Sequence, residues 1–178
     1  MPTTPQRLFA FLDGLGIVHR TVTHPPLFTV EESRRLRGTM PGGHTKNLLL
    51  RDKRGAMFLV VALEDAVIDL KRLHVRLGSG RLSFASAATM RERIGVEPGA
   101  VTPFAAINDS AGRVRVVLDA AMMRRDPLNF HPLVNTMTTT LSGRDLVAFL
   151  EATGHPPMIL ALSQSPAGPA PCQAPSEA

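Results

Sequence analysis

The chain has 178 residues, of which 44% are apolar and 20% charged, with one cysteine and neither tryptophan nor tyrosine. That length fits one domain able to bury a sizeable core, and the lone Cys172 excludes an internal disulfide and a multi-cysteine metal site. The net charge of +5 favours encounter with a polyanion but confers no specificity, and the missing Trp and Tyr argue against a stacking platform for single-stranded bases.

The opening MPTTPQRLFAFLDGLG lacks a basic-then-apolar signal pattern, and no apolar run approaches the ~20 residues of a membrane span. The chain therefore reads as cytoplasmic. Leu8, Phe11, Leu12 and Leu15 have the spacing of an amphipathic helix over Thr4 to Gly14. His19 to Thr23 alternates as a short strand before Pro25-Pro26. Thr29, Glu31 and Glu32 suit the start of a helix whose far end carries Arg34, Arg35 and Arg37.

Asn47 to Leu50, the polar RDKRG turn and Ala56 to Leu63 predict two strands. Helices follow over Asp69 to Leu77, closed by Gly78, and over Ser86 to Ile94, closed by Gly95. Pro103 to Asn108 and Arg113 to Asp119 predict a second hairpin around Asp109 to Gly112. A strand-rich stretch, Leu128 to Thr140, precedes a helix beginning near Ser142, and His155 to Leu162 predicts a last strand. This order predicts an α+β domain with a mixed sheet over residues 1–162, followed by a low-complexity tail over 163–178.

Three segments could carry chemistry. The run Gly42 to Asn47 places Lys46 at the entry of an apolar strand. It fails the GxxxxGK[ST] phosphate-loop spacing, because His44 stands where the lysine should be. Lys46 could set a fixed cation at a cleft or simply snorkel at a strand edge. Gly95 to Pro103 holds two glycines and two prolines in nine residues, so its backbone N–H groups cannot all join a ladder. Preorganised free N–H groups can receive an oxyanion, although an ordinary rigid connection has the same composition. Asn129 to Thr140 gathers two Asn, a His and four Thr in an apolar setting, where polar groups are costly unless bonded to each other or to a ligand. No HExxH or paired His/Cys spacing, GxSxG elbow or GxGxxG fingerprint is present.

In order, Thr45 to Lys53, Arg81 to Ser86, Gly95 to Asp109, Phe130 to Thr139 and Phe149 to His155 resemble the YbaK-like prolyl-tRNA editing family, in particular its ProX branch of free-standing Ala-tRNA(Pro) deacylases. The resemblance runs from the N-terminal helix to Leu162 and implies a curved mixed sheet flanked by helices. It implies hydrolysis of the ester joining an amino acid to the terminal ribose of tRNA, with no metal or other cofactor. The family's essential lysine corresponds to Lys46, its GxxxP loop to Gly99–Pro103, and the branch's polar patch to Asn129, His131, Asn135 and nearby threonines.

On that basis Lys46, Gly99 and Ala100 are expected to be catalytic, the amides near Gly99 and Ala100 receiving the carbonyl and Lys46 anchoring the terminal phosphate or ribose. Thr45, Asn47, Val101, Pro103, Asn129, His131 and Asn135 are expected to bind substrate, and Val101, Phe104 and Leu48 to wall the amino-acid pocket. The implied partners are the acceptor end of mischarged tRNA(Pro) and prolyl-tRNA synthetase, with neither DNA nor membrane. The alternatives are an editing deacylase for Cys- or Ser/Thr-charged tRNA and a non-catalytic tRNA- or synthetase-binding module.

Overall fold

A computed structural model of the chain describes residues 1–26 and 40–163. Helix α1 (Pro5–Gly14) begins where Thr4 caps it, its hydroxyl accepting from Arg7 N–H, with Pro5 in a first-turn position that needs no helical donor. Leu8 and Leu12 on its inner face are fully buried. Strand β1 (Arg20–Thr23) follows. The helix expected after Thr29, with its arginines, lies outside the described residues.

Strands β2 (Gly43–Asp52) and β3 (Met57–Leu63) form the antiparallel hairpin expected from the apolar runs. Asp52 shapes the turn between them: one carboxylate oxygen accepts from Arg54 and Ala56 N–H and the other from Gly80 N–H. Strand β2 starts four residues earlier than Asn47, so the Gly43–Lys46 segment is strand and not a loop. Helix α2 (Leu70–Leu77), capped by Asp69 and stopped by left-handed Gly78, leads to β4 (Leu82–Phe84). Helix α3 (Ala87–Ile94) is capped by Ser86 and ends at left-handed Gly95.

The second predicted hairpin does not form. Pro103–Asn108 is a 3-10 helix, and β5 (Val114–Asp119) pairs in parallel with β3 on one side and with β8 (Met158–Leu160) on the other. Thr102 Oγ1 accepts from Phe104 N–H and Pro103 occupies the first turn, a helix-start arrangement that cannot donate to a ladder. The remaining strands are β6 (Leu128–Phe130) and β7 (Met137–Leu141), and helix α4 (Gly143–Ala152) starts at the cap Ser142.

The sheet runs β1-β7-β6-β2-β3-β5-β8, with β4 also on β2, and mixes parallel and antiparallel pairs as expected. One face carries the larger core, in which Leu49, Leu59, Val61 and Val116 meet α1, α4 and the 3-10 helix. There Phe104 packs edge-on against both Phe130 and Phe149, with ring centroids 5.9 and 5.3 Å apart, each pair contributing about 0.5–1.5 kcal/mol beyond burial. The other face packs Leu50, Phe58, Val60 and Val117 on Leu73 and Leu77 of α2. Ser163, assigned to the tail from sequence, belongs to the domain: its hydroxyl and amide donate to the fully buried Asp119, and it bridges to Ile68. The rest of that tail lies outside the described residues.

Candidate functional site

One edge of β2 is shared by two short strands with a gap between them. Strand β6 pairs with Gly43 and His44, and β4 pairs with Leu50 to Asp52. Among the described residues, no strand pairs with Thr45 to Leu49 on that edge. Leu49 O turns toward it, accepting from Ala85 N–H, so the two-residue period of a strand turns the backbone of Asn47 toward it as well. Lys46 and Asn47, the pair singled out from sequence, thus sit at a break in the sheet.

Their side chains leave β2 on opposite faces. Lys46 shares its face with Leu48, which packs on the smaller core, and its Nζ donates to Ala66 O in the turn after β3. That uses one of three ammonium donors. Asn47 shares its face with Leu49 of the larger core, and its Oδ1 is buried with no donor among the described residues. A buried acceptor left unpaired costs about 1–3 kcal/mol, which a ligand donor would recover. Thr45 Oγ1 instead donates to Asn129 O, tying β2 to β6 where their ladder ends.

The glycine loop and the segment after β6 meet. A Cβ built on Gly99 would lie 3.9 Å from Asn135 Nδ2, and Gly99 has φ +88°, a backbone suited to glycine. Val96, Glu97, Pro98 and Ala100 line one side of a cavity of about 380 Å³, and Leu133 and Asn135 line the other. Ala100 N–H closes a turn onto Glu97 O at 3.0 Å, so this expected oxyanion donor is already engaged. The amides of Gly99 and Val101 have no partner among the described residues. Pro103 is buried under the loop as the start of the 3-10 helix.

Leu133, which sequence did not single out, holds φ +68°, a conformation that persists in a non-glycine residue only when its surroundings enforce it. Leu48 and Phe104 are not walls of this cavity: Leu48 faces the smaller core on the other side of the sheet, and Phe104 is fully buried in the larger one. Strand alternation decides the first case, and a packed aromatic cluster the second.

The polar stretch divides into supporting and presenting groups. Asn129 is buried, its Nδ2 donating to Pro41 O and its Oδ1 accepting from Thr140 Oγ1, so its amide braces the segment before β2. His131 is partly exposed and its Nδ1 donates to Met137 O at 2.9 Å. The hydrogen is therefore on Nδ1 in the neutral ring, and Nε2 keeps its lone pair. Burial holds His131 below the usual imidazole range; the bond to Met137 opposes this and nearby His24 reinforces it. Thr45 is thus joined to Asn129, and Gly99 and Ala100 to Asn135, while the cavity does not include Lys46, Asn47 or His131.

Fold and site together define a class: a mixed-sheet α+β domain in which one strand carries a lysine and an unpaired buried amide oxygen, and other segments carry free loop amides and a neutral histidine. Residues 24–149 match the aminoacyl-tRNA editing domain, and the chain belongs to that family, whose chemistry is hydrolysis of aminoacyl esters. It is 38% identical over 151 residues to the prolyl-tRNA editing protein ProX of Acetoanaerobium sticklandii, spanning 84% of this chain and 92% of that protein. It is 41% identical over 154 residues to the bovine prolyl-tRNA synthetase associated domain-containing protein 1, spanning 84% and 90%. A crystal structure described as that of a candidate trans-editing enzyme for prolyl-tRNA synthetase superposes with a TM-score of 0.70 at 19% identity, covering 93% of this chain and all of that one. Among the described residues no helix is long and apolar enough to cross a membrane.

Proposed function

We propose that the chain is a free-standing deacylase that clears mischarged tRNA(Pro), with Ala-tRNA(Pro) as its substrate. The observation that carries this reading is the 38% identity, over nearly the full length of both proteins, to a prolyl-tRNA editing protein. The geometry supports the chemistry. An aminoacyl ester is already activated, so positioning a water and stabilising the oxyanion suffice. Gly99 and Val101 supply the free amides for the carbonyl oxygen as charge develops on it. Lys46, tethered by one donor to Ala66 O, has two left for the terminal phosphate or ribose of the acceptor end.

Asn47 Oδ1 accepts from a ribose hydroxyl or the substrate amine, and neutral His131 offers Nε2 to the amino acid or terminal nucleotide. By resemblance, a hydroxyl of the terminal ribose assists the water, and no side chain serves as general base. A small pocket supplies the selectivity that a synthetase site lacks, since one missing methylene is worth only about 1–3 kcal/mol there. Prolyl-tRNA synthetase is the partner this role implies, and the cytoplasm its setting. The test offers purified protein tRNA(Pro) charged with Ala, Pro, Cys or Ser, and tRNA(Ala) charged with Ala. Release of alanine from tRNA(Pro) alone supports the reading; preferential release of cysteine or serine, or no release from any of them, overturns it.

A further inference from the structure

His24 lies just beyond β1, where sequence offers only a histidine before two prolines. Folding makes it 9% exposed and brings its ring to 6.2 Å from the His131 ring, centroid to centroid. The backbone N–H and both ring nitrogens of His24 are engaged. Its backbone N–H donates to Thr136 O at 2.9 Å, continuing the β1–β7 pairing beyond its last strand residue. Its Nδ1 lies 2.8 Å from Pro25 O, which can only accept, so the ring hydrogen is on Nδ1. Nε2 then accepts from Thr138 Oγ1 at 2.9 Å.

These contacts grip the chain at Thr136, just before β7, and at Thr138 within it. Between them stands Met137, whose carbonyl receives His131 Nδ1–H. The carbonyl that fixes the ring and tautomer of His131 is therefore held from both sides by one residue. We infer that His24 is a positioning residue for His131: it clamps Met137 O so that His131 keeps its Nδ1–H tautomer and presents the Nε2 lone pair to the aminoacylated end of tRNA. The clause about tRNA rests on the proposed function; the clamp does not.

The electrostatics agree in direction. Burial is the main cause of the lowered His131 pKa, and repulsion from His24 adds to it; His24 is the one titratable group among the described residues that acts on His131. The other groups that meet the two rings, Met137 O, Thr138 Oγ1 and Pro25 O, are uncharged.

Nitrogen-15 NMR of imidazole-labelled full-length protein reads the tautomer and titration of His131 without any substrate. The clamp predicts a single Nδ1–H tautomer in the wild type. His24→Leu should yield a mixture of tautomers and an upward move of the His131 midpoint. Thr138→Val removes the hydroxyl contact but leaves the other contacts of His24, so it should mix the tautomers to a lesser degree; it also serves if His24→Leu does not fold. In the deacylation assay both variants should lose kcat with KM nearly unchanged. An unaltered His131 tautomer in whichever variants fold would overturn the inference. A wild-type protein that shows the tautomer lock but deacylates no tRNA would overturn the proposed function and leave the clamp standing.

Discussion

Gly99, between two residues that line the cavity, lies against Asn135, a Cβ at Gly99 falling 3.9 Å from Asn135 Nδ2. That distance is ordinary van der Waals contact, so space does not exclude a methyl group there. The φ of +88° does disfavour one, and an L-residue forced into left-handed backbone costs about 1–2 kcal/mol. Gly99→Ala should lower stability by that amount in urea unfolding. It should also reduce the deacylation rate by about 100-fold, because the loop amides turn away from the oxyanion position.

Lys46 divides structural from functional roles more cleanly. Its ammonium has one partner among the described residues, Ala66 O, and losing that bond costs about 1 kcal/mol. Lys46→Ala should therefore fold with a small drop in thermal midpoint while losing at least about 100-fold in deacylation rate. Circular dichroism melts alongside single-turnover kinetics check both halves.

The role proposed for His131 predicts the acid limit of the reaction. Because its pKa lies below 6.5, chiefly through burial, the ring stays neutral as pH falls through the ordinary imidazole range. Deacylation should keep its neutral-pH rate there and decline only as pH passes the lowered folded value. Stability has the matching sign: the unfolded ring binds the proton first, so stability falls as pH drops from about 6.5 towards the folded value, and then levels off. A rate profile and a chemical-denaturation series over the same pH range test the two limbs.

Asp52 governs a lower range. Partial desolvation raises its pKa, but the amides of Gly80, Ala56 and Arg54, with the Arg54 charge, outweigh that and hold it below 3.8. Its contribution is present above the unfolded carboxylate value and is lost as pH falls through the lower folded value. Asp52→Asn should be less stable than the wild type at neutral pH, and the difference should shrink in acid. Urea midpoints measured from pH 7 down to the acid limit of the fold would show this.

Much of this was legible where neighbours in sequence are also neighbours in space. The β2–β3 hairpin follows from two apolar runs and the RDKRG turn, and Thr4, Asp69, Ser86 and Ser142 all cap the helices they precede. The order of motifs placed the glycine loop and the Asn135 segment in one site, and they meet. What escaped depends on distant partners or on facing. His24 becomes informative only through Thr138, 114 residues away. Strand alternation turns Leu48 to the smaller core, away from the cavity beside Gly99, a facing that residue type alone does not reveal. Pro103–Asn108 reads as apolar strand, yet Thr102 and Pro103 start a short helix there.

Substrate choice by the proposed site is read from single-turnover hydrolysis of Ala-tRNA(Pro) beside Pro-tRNA(Pro). Wild-type protein is predicted to release alanine rapidly, to leave prolyl-tRNA(Pro) intact, and to lose alanine release in Lys46→Ala. Equal hydrolysis of both esters, or full alanine release by the folded Lys46→Ala variant, would contradict it.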